Sequence, residues 1–95
     1  MNITVKPKLH GVNNMKRVLR FTAEWCRPCK SLAAILEEVK GDTLVEVIDI
    51  DKFSDIAVEF GIRSVPTLVL MDENIEIKRM TGLKTKNDLQ TWLTT

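Results

Sequence analysis

Apolar residues fall along the chain in short blocks whose spacing switches between strand and helix periods. Ile3-Thr4-Val5 alternates weakly and stops at Pro7, which reads as a short edge strand, where a proline is tolerated. Residues 9–14 hold Gly11 and two asparagines, and read as a loop with at most one helical turn. Met15 to Thr22 carries the near-continuous run Val18, Leu19 and Phe21, as expected of a central strand covered on both faces. Cys29 to Lys40 then places Leu32, Ile35, Leu36 and Val39 at i, i+3, i+4 and i+7, one stripe of a helix. Glu37, Glu38 and Lys40 take the opposite face, and Gly41 is the expected stop.

Thr43 to Ile50 reads as a second central strand, apolar on both faces through Leu44, Val45, Val47, Ile48 and Ile50. Strand, helix and strand joined by short links imply a parallel, right-handed crossover. Ser54 is placed to cap a short helix carrying Ile56, Ala57 and Phe60 and ended by Gly61. Thr67 to Met71 is a third strand, and Asp72-Glu73-Asn74 a turn in which Asn74 tolerates positive φ. Ile75 to Met80 pairs back, its Ile75 and Ile77 alternating with Glu76 and Lys78 as on a half-exposed edge strand. Thr85, with Asp88 three residues on, opens a last helix whose inner stripe is Leu89, Trp92 and Leu93.

The whole chain is 95 residues with a net charge of +1. That length predicts one domain spanning residues 1–95, able to bury a modest core without metal or structural disulfides. So small a charge gives no reason to expect a nucleic acid or membrane-surface partner. The first residues lack the apolar core of a signal peptide, and no apolar run approaches the roughly 20 residues that span a bilayer. These features predict a soluble, cytoplasmic protein acting as a monomer.

The chemistry concentrates in Trp25-Cys26-Arg27-Pro28-Cys29-Lys30, which holds both cysteines of the chain. A Cys-x-x-Cys between a strand and a helix is the pattern of a dithiol redox pair. The unpaired N–H groups and dipole of a helix N-terminus favour negative charge, so a thiolate is stabilised there. The second sulfur, one turn on, is close enough to attack a mixed disulfide. Pro28 suits the first helical position, where a missing N–H costs nothing. The competing readings are a pair of incidental thiols and a zinc site. Zinc needs about four ligands, and the chain offers only His10 and carboxylates besides the cysteines.

The run Trp25 to Lys30 resembles the active site of the thioredoxin family, with Arg27 where the family has glycine. Gly61-Ile62-Arg63-Ser64-Val65-Pro66-Thr67 is similar to the family's cis-proline loop, and Gly82 is placed like the glycine that closes its substrate groove. The resemblance spans about Val18 to Leu93. It implies an α/β thioredoxin fold, a central mixed sheet flanked by helices, with a shortened N-terminal region. It also implies thiol–disulfide exchange on disulfide-containing protein substrates, with Cys26 as nucleophile and Cys29 as resolving thiol. Trp25, Arg27, Pro28, Val65, Pro66 and Gly82 are the implied substrate-contacting residues, with Ile50 beside them. No bound cofactor or metal is implied. The electron donor would be of the thioredoxin-reductase type, or glutathione if the chain is glutaredoxin-like. A non-catalytic docking module on the same fold is the third possibility.

Two positions depart from the family pattern. A positive charge at Arg27, between the sulfurs, predicts a more oxidising couple; the alternative is an exposed arginine whose charge salt screens to no effect. Arg20 stands where the family buries a proton-accepting aspartate, and Val47 where a lysine often accompanies it. Arginine stays protonated and cannot accept the proton. The chain then either lacks that assistance or draws it from elsewhere. Period-two counting puts Asp49 on the face of Val47, which makes it the candidate proton carrier and, if Arg20 is buried, its candidate partner, whereas Glu46 points the other way. The alternative is an Arg20 left in water by the shortened N-terminal region.

Overall fold

The computed structural model describes residues 16–95. The edge strand expected at Ile3–Val5 and the loop at 9–14 lie outside the described residues. The elements run β1 (Lys16–Thr22), α1 (Arg27–Val39), β2 (Leu44–Asp49), α2 (Ser54–Glu59), β3 (Thr67–Asp72), β4 (Ile75–Thr81) and α3 (Lys86–Thr94). The four strands form one sheet in the order β2-β1-β3-β4. β1 and β2 are parallel, and the pairs β1–β3 and β3–β4 are antiparallel. No helix among the described residues is long and apolar enough to cross a membrane.

Strand periodicity splits the core into two layers. Val18 and Leu68 point to one face of the sheet and pack against Leu32 and Leu36 of α1 and Leu89 of α3. Leu19, Phe21, Val69 and Met71 point to the other, with Ile56 and Phe60 of the α2 region against them. The Phe21 and Phe60 rings lie 5.5 Å apart, tilted by 53°. Because β1 and β3 contribute to both layers, their sequences read as continuous apolar runs. α1 ends on Lys40, and Gly41 follows with φ 57, the left-handed conformation that terminates a helix at least cost in glycine.

Four local expectations are corrected. β2 is not covered on both faces: Leu44 and Val47 are each 56% exposed, and of its apolar residues Val45 and Ile48 are the ones packed on core layers. Ser54 is the first residue of α2 and does not cap it; Phe53 holds the cap position without a side-chain hydrogen bond. In the turn before β4 the positive φ belongs to Glu73, at 57°, not to Asn74. Finally, a register shift at Leu70/Met71 flips the alternation of β4. Ile75 and Ile77 end up exposed, while Met80 turns inward and Lys78 lies over the Trp92 ring, 5.0 Å from its centroid. Lys78 also donates to the Trp92 carbonyl. The last helix forms as the sequence indicates, with the Thr85 hydroxyl accepting the Asp88 N–H at 3.0 Å.

Candidate functional site

β1 delivers the chain to the top of the sheet, and a turn closed by the Cys26 N–H to Ala23 carbonyl bond (3.1 Å) swings it into α1. The helix begins at Arg27, two residues earlier than periodicity indicated, so Pro28 is its second residue. Cys26 is the cap. Its backbone is extended, with φ −95 and ψ 105, and its Sγ accepts the Cys29 N–H at 3.2 Å. The sulfur thus takes the place a serine or aspartate oxygen usually fills at a helix start. Pro28 sits among the first-turn N–H groups that no helix can pair, so its missing donor costs nothing.

Cys26 and Cys29 are joined by a disulfide, with their Cα atoms 5.3 Å apart. Both pack on Ala23, with Ile50 and Val65 against them. Cys29 is fully buried at 0% exposure, and Cys26 retains 4%. The loop before β3 faces the pair. The Val65–Pro66 peptide is cis, and the Val65 carbonyl oxygen lies 3.8 Å from the Cys26 Sγ. Thr67 Oγ1 donates to the Ser64 carbonyl at 2.8 Å, and Gly82 N–H donates to the Pro66 carbonyl at 2.8 Å. Gly82 has φ 91, a conformation that side-chain-bearing residues rarely adopt. Val65 and Pro66, remote in sequence from the cysteines, thereby stand beside them, and the Gly82 bond ties the end of β4 to their loop.

Trp25 stands next to the disulfide, 69% exposed, and its indole N–H donates to Asp51 Oδ2 at 2.9 Å. Asp51 was not among the residues singled out from sequence. The signal was its place just past the C-terminal end of β2, the end from which the dithiol turn also leaves the sheet. Arg27 and Lys30 are exposed on the first turn of α1. Asp49 is occupied locally: its Oδ1 accepts the N–H groups of Asp51 at 2.8 Å and Lys52 at 3.4 Å.

Arg20 is half-buried under α1. Burial pushes its guanidinium down from the ordinary arginine range, and the charge of Glu37 on α1 partly restores it. Glu37, not Asp49, is therefore the carboxylate that acts on Arg20, and no ion pair between Arg20 and Asp49 forms. Among the described residues, no group of three or more His, Cys, Asp or Glu side chains is gathered to hold a metal ion.

Known proteins with this arrangement are numerous. The sequence model of the thioredoxin family matches residues 7–95. A thioredoxin of Rickettsia felis is 40% identical over 77 residues, covering 77% of this chain and 73% of that protein. A thioredoxin of Mycoplasmoides gallisepticum is 38% identical over 95 residues, 94% of each chain. Among solved structures, a mutant thioredoxin from Halobacterium salinarum NRC-1 superimposes with a TM-score of 0.76 at 32% identity, over 84% of this chain and 73% of that one. The thioredoxin of Malassezia sympodialis gives a TM-score of 0.75 at 33% identity, over 86% and 75%. Proteins of this kind work through a dithiol–disulfide couple made from their own cysteines, with no external cofactor. Similarity of this extent in both sequence and fold settles descent: the chain belongs to the thioredoxin family and is a thiol–disulfide oxidoreductase.

Proposed function

We propose that the chain reduces disulfides of protein substrates, with Cys26 attacking and Cys29 resolving. The position of Cys26 carries this reading. Its sulfur caps α1, meets the Cys29 N–H at 3.2 Å, and is the less enclosed of the two. In the reduced chain, the same N–H and the helix dipole favour the Cys26 thiolate. That thiolate attacks one sulfur of the substrate disulfide; a bond forms from Cys26 to that sulfur, and the other substrate sulfur leaves as a thiolate. Cys29, deprotonated, then attacks the Cys26 sulfur. The Cys26–Cys29 bond forms, the mixed disulfide breaks, and the second substrate sulfur leaves with its electron pair. Two electrons pass from the dithiol to the substrate, and both substrate thiolates take up protons.

Trp25, Arg27 and Pro28 on one side, and Val65, Pro66 and Gly82 on the other, form the surface against which an extended substrate segment docks, in the manner of an added strand. Asp49 is our candidate to receive the Cys29 proton, because it lines the cleft that Ala23, in contact with the cysteines, also lines. A thioredoxin-reductase-type donor returns the electrons, and the chain works as a cytoplasmic monomer. Two substrates test this proposal: insulin reduction driven by a thioredoxin reductase and NADPH, and turnover of hydroxyethyl disulfide driven by glutathione. Reductase-driven insulin reduction is the expected result. Turnover only with glutathione would place the chain with glutaredoxins, and no turnover in either assay would leave a docking module.

A further inference from the structure

Behind the dithiol turn, a cleft of about 410 Å³ opens between α1 and the end of β2. Its origin is local. Thr22, Ala23, Ala33 and Val47 are all small, and between them they leave space that larger side chains would fill. Three cations line it: Arg20 from β1, Lys30 from α1 and Lys52 from the turn after β2. Two acids, Glu24 and Asp49, line it as well.

Glu24 faces Lys52 at 3.7 Å, which pairs one acid of the cleft with one of its cations, and Asp49 Oδ1 takes two backbone N–H groups. Arg20 is different. Among the described residues no acceptor hydrogen-bonds its guanidinium, and Glu37 acts on it only through space. A half-buried guanidinium presents five N–H donors in a planar fork, and an anion entering the cleft can meet them in charge-assisted hydrogen bonds in place of water.

We propose that this cleft binds a small carboxylate carried on an apolar body. The Arg20 fork takes the two carboxylate oxygens, Lys30 adds a second positive charge, and the apolar part lies on Ala33, Val47 and Phe53. The planar fork matches a carboxylate in two-point geometry. The selection against inorganic phosphate comes from the apolar lining of Ala33, Val47 and Phe53, which a carboxylate on an apolar body covers and a free phosphate does not. The volume falls within the range of about 300–1,000 Å³ typical of small-molecule sites. The site is separate from the Trp25–Val65 surface proposed for protein substrates.

The test is an ¹⁵N NMR titration of the oxidised chain with 3-phenylpropionate, with the uncharged 3-phenylpropionamide alongside. Saturable shifts at Thr22, Ala33 and Val47 with the acid alone are expected, in the low-millimolar range or tighter. Arg20→Gln should weaken binding about tenfold or more through loss of the charge-assisted hydrogen bonds, and Arg20→Lys should retain part of it. If Arg20→Gln does not fold, Arg20→Lys alone still decides, because it keeps the charge and loses the fork. Overturning results are no saturation, equal binding of the amide, shifts confined to the Trp25–Val65 surface, or undiminished binding by Arg20→Lys. Binding to the oxidised chain involves no exchange step, so the outcome is independent of the catalytic proposal.

Discussion

Leu32 lies one turn after Cys29 on the same buried face of α1, fully enclosed by Val18 of β1, Leu36 of its own helix, Leu68 of β3 and Leu89 of α3. It is what seats the dithiol helix on the sheet. Replacing it by alanine removes apolar volume worth about 2 kcal/mol at ~0.8 kcal/mol per methylene. Its neighbours come from two strands and two helices, so the void cannot close by moving one element, and a cavity cost adds to the transfer cost. The sum is about 3–4 kcal/mol, within the range of about 2–5 usual for buried leucine truncations. For a domain of this size that is a fall of about 15–25 °C in melting temperature. Urea unfolding of the oxidised chain, followed by far-ultraviolet circular dichroism, measures it. Leu44→Ala, at a site 56% exposed, is the paired control and should cost under about 0.5 kcal/mol. A loss below about 1 kcal/mol for Leu32→Ala, or equal losses for the two variants, would refute the proposed seating of α1.

Other predictions concern charge. Arg27→Gly should make the couple more negative by about 5–20 mV, the size of a screened charge at a helix end; an unchanged or less negative potential removes Arg27 from redox tuning. Asp49→Asn keeps an oxygen for the Asp51 and Lys52 N–H groups but cannot take a proton, so substrate reduction should slow at neutral pH and its profile move to higher pH. An unmoved profile dismisses Asp49 as proton carrier. Glu76 accepts Arg79 in two hydrogen bonds of 2.6 and 2.7 Å, and these hold its carboxyl below the ordinary carboxylate range. A lowered folded-state pKa means that the contribution is present above the ordinary carboxylate range and lost as pH falls through the lowered value. Both side chains are about a third exposed (35% and 33%), so the pair is worth only about 0.2–1 kcal/mol. Glu76→Gln should therefore lose less stability than the parent between about pH 7 and pH 3, and a variant with the parent's full acid-side loss would count against the pair.

The dithiol was legible because it depends on residue identity at fixed spacing, whereas the cis bond at Pro66 and the place of Gly82 came from the resemblance to the thioredoxin family and not from periodicity. The two-layer core was legible from the runs in β1 and β3, since burial on both faces leaves few polar positions, Arg20 being the one that interrupts the run in β1. What escaped depended on partners that spacing does not reveal. The inward turn of Lys78 goes with a register shift in which Ile77 of β4 is left unpaired, and its ammonium finds a carbonyl and a ring on α3. Glu37 reads as part of the solvated face of α1, yet its charge acts through space on Arg20 of β1, an influence between helix and sheet that periodicity along one element does not reveal. Cys26 as its own helix cap was missed because thiols are rarely counted among caps, although Cys26 and Cys29 stand in the first and fourth places of a capping pattern.

The central claim is that Cys26, not Cys29, meets the substrate. The reduced Cys29→Ser variant, mixed with a disulfide-containing protein and digested without reductant, tests it by mass spectrometry. The account predicts a stable mixed disulfide on Cys26, and no comparable adduct on Cys29 in the Cys26→Ser variant. Equal trapping on both cysteines, or trapping on Cys29 alone, would contradict it.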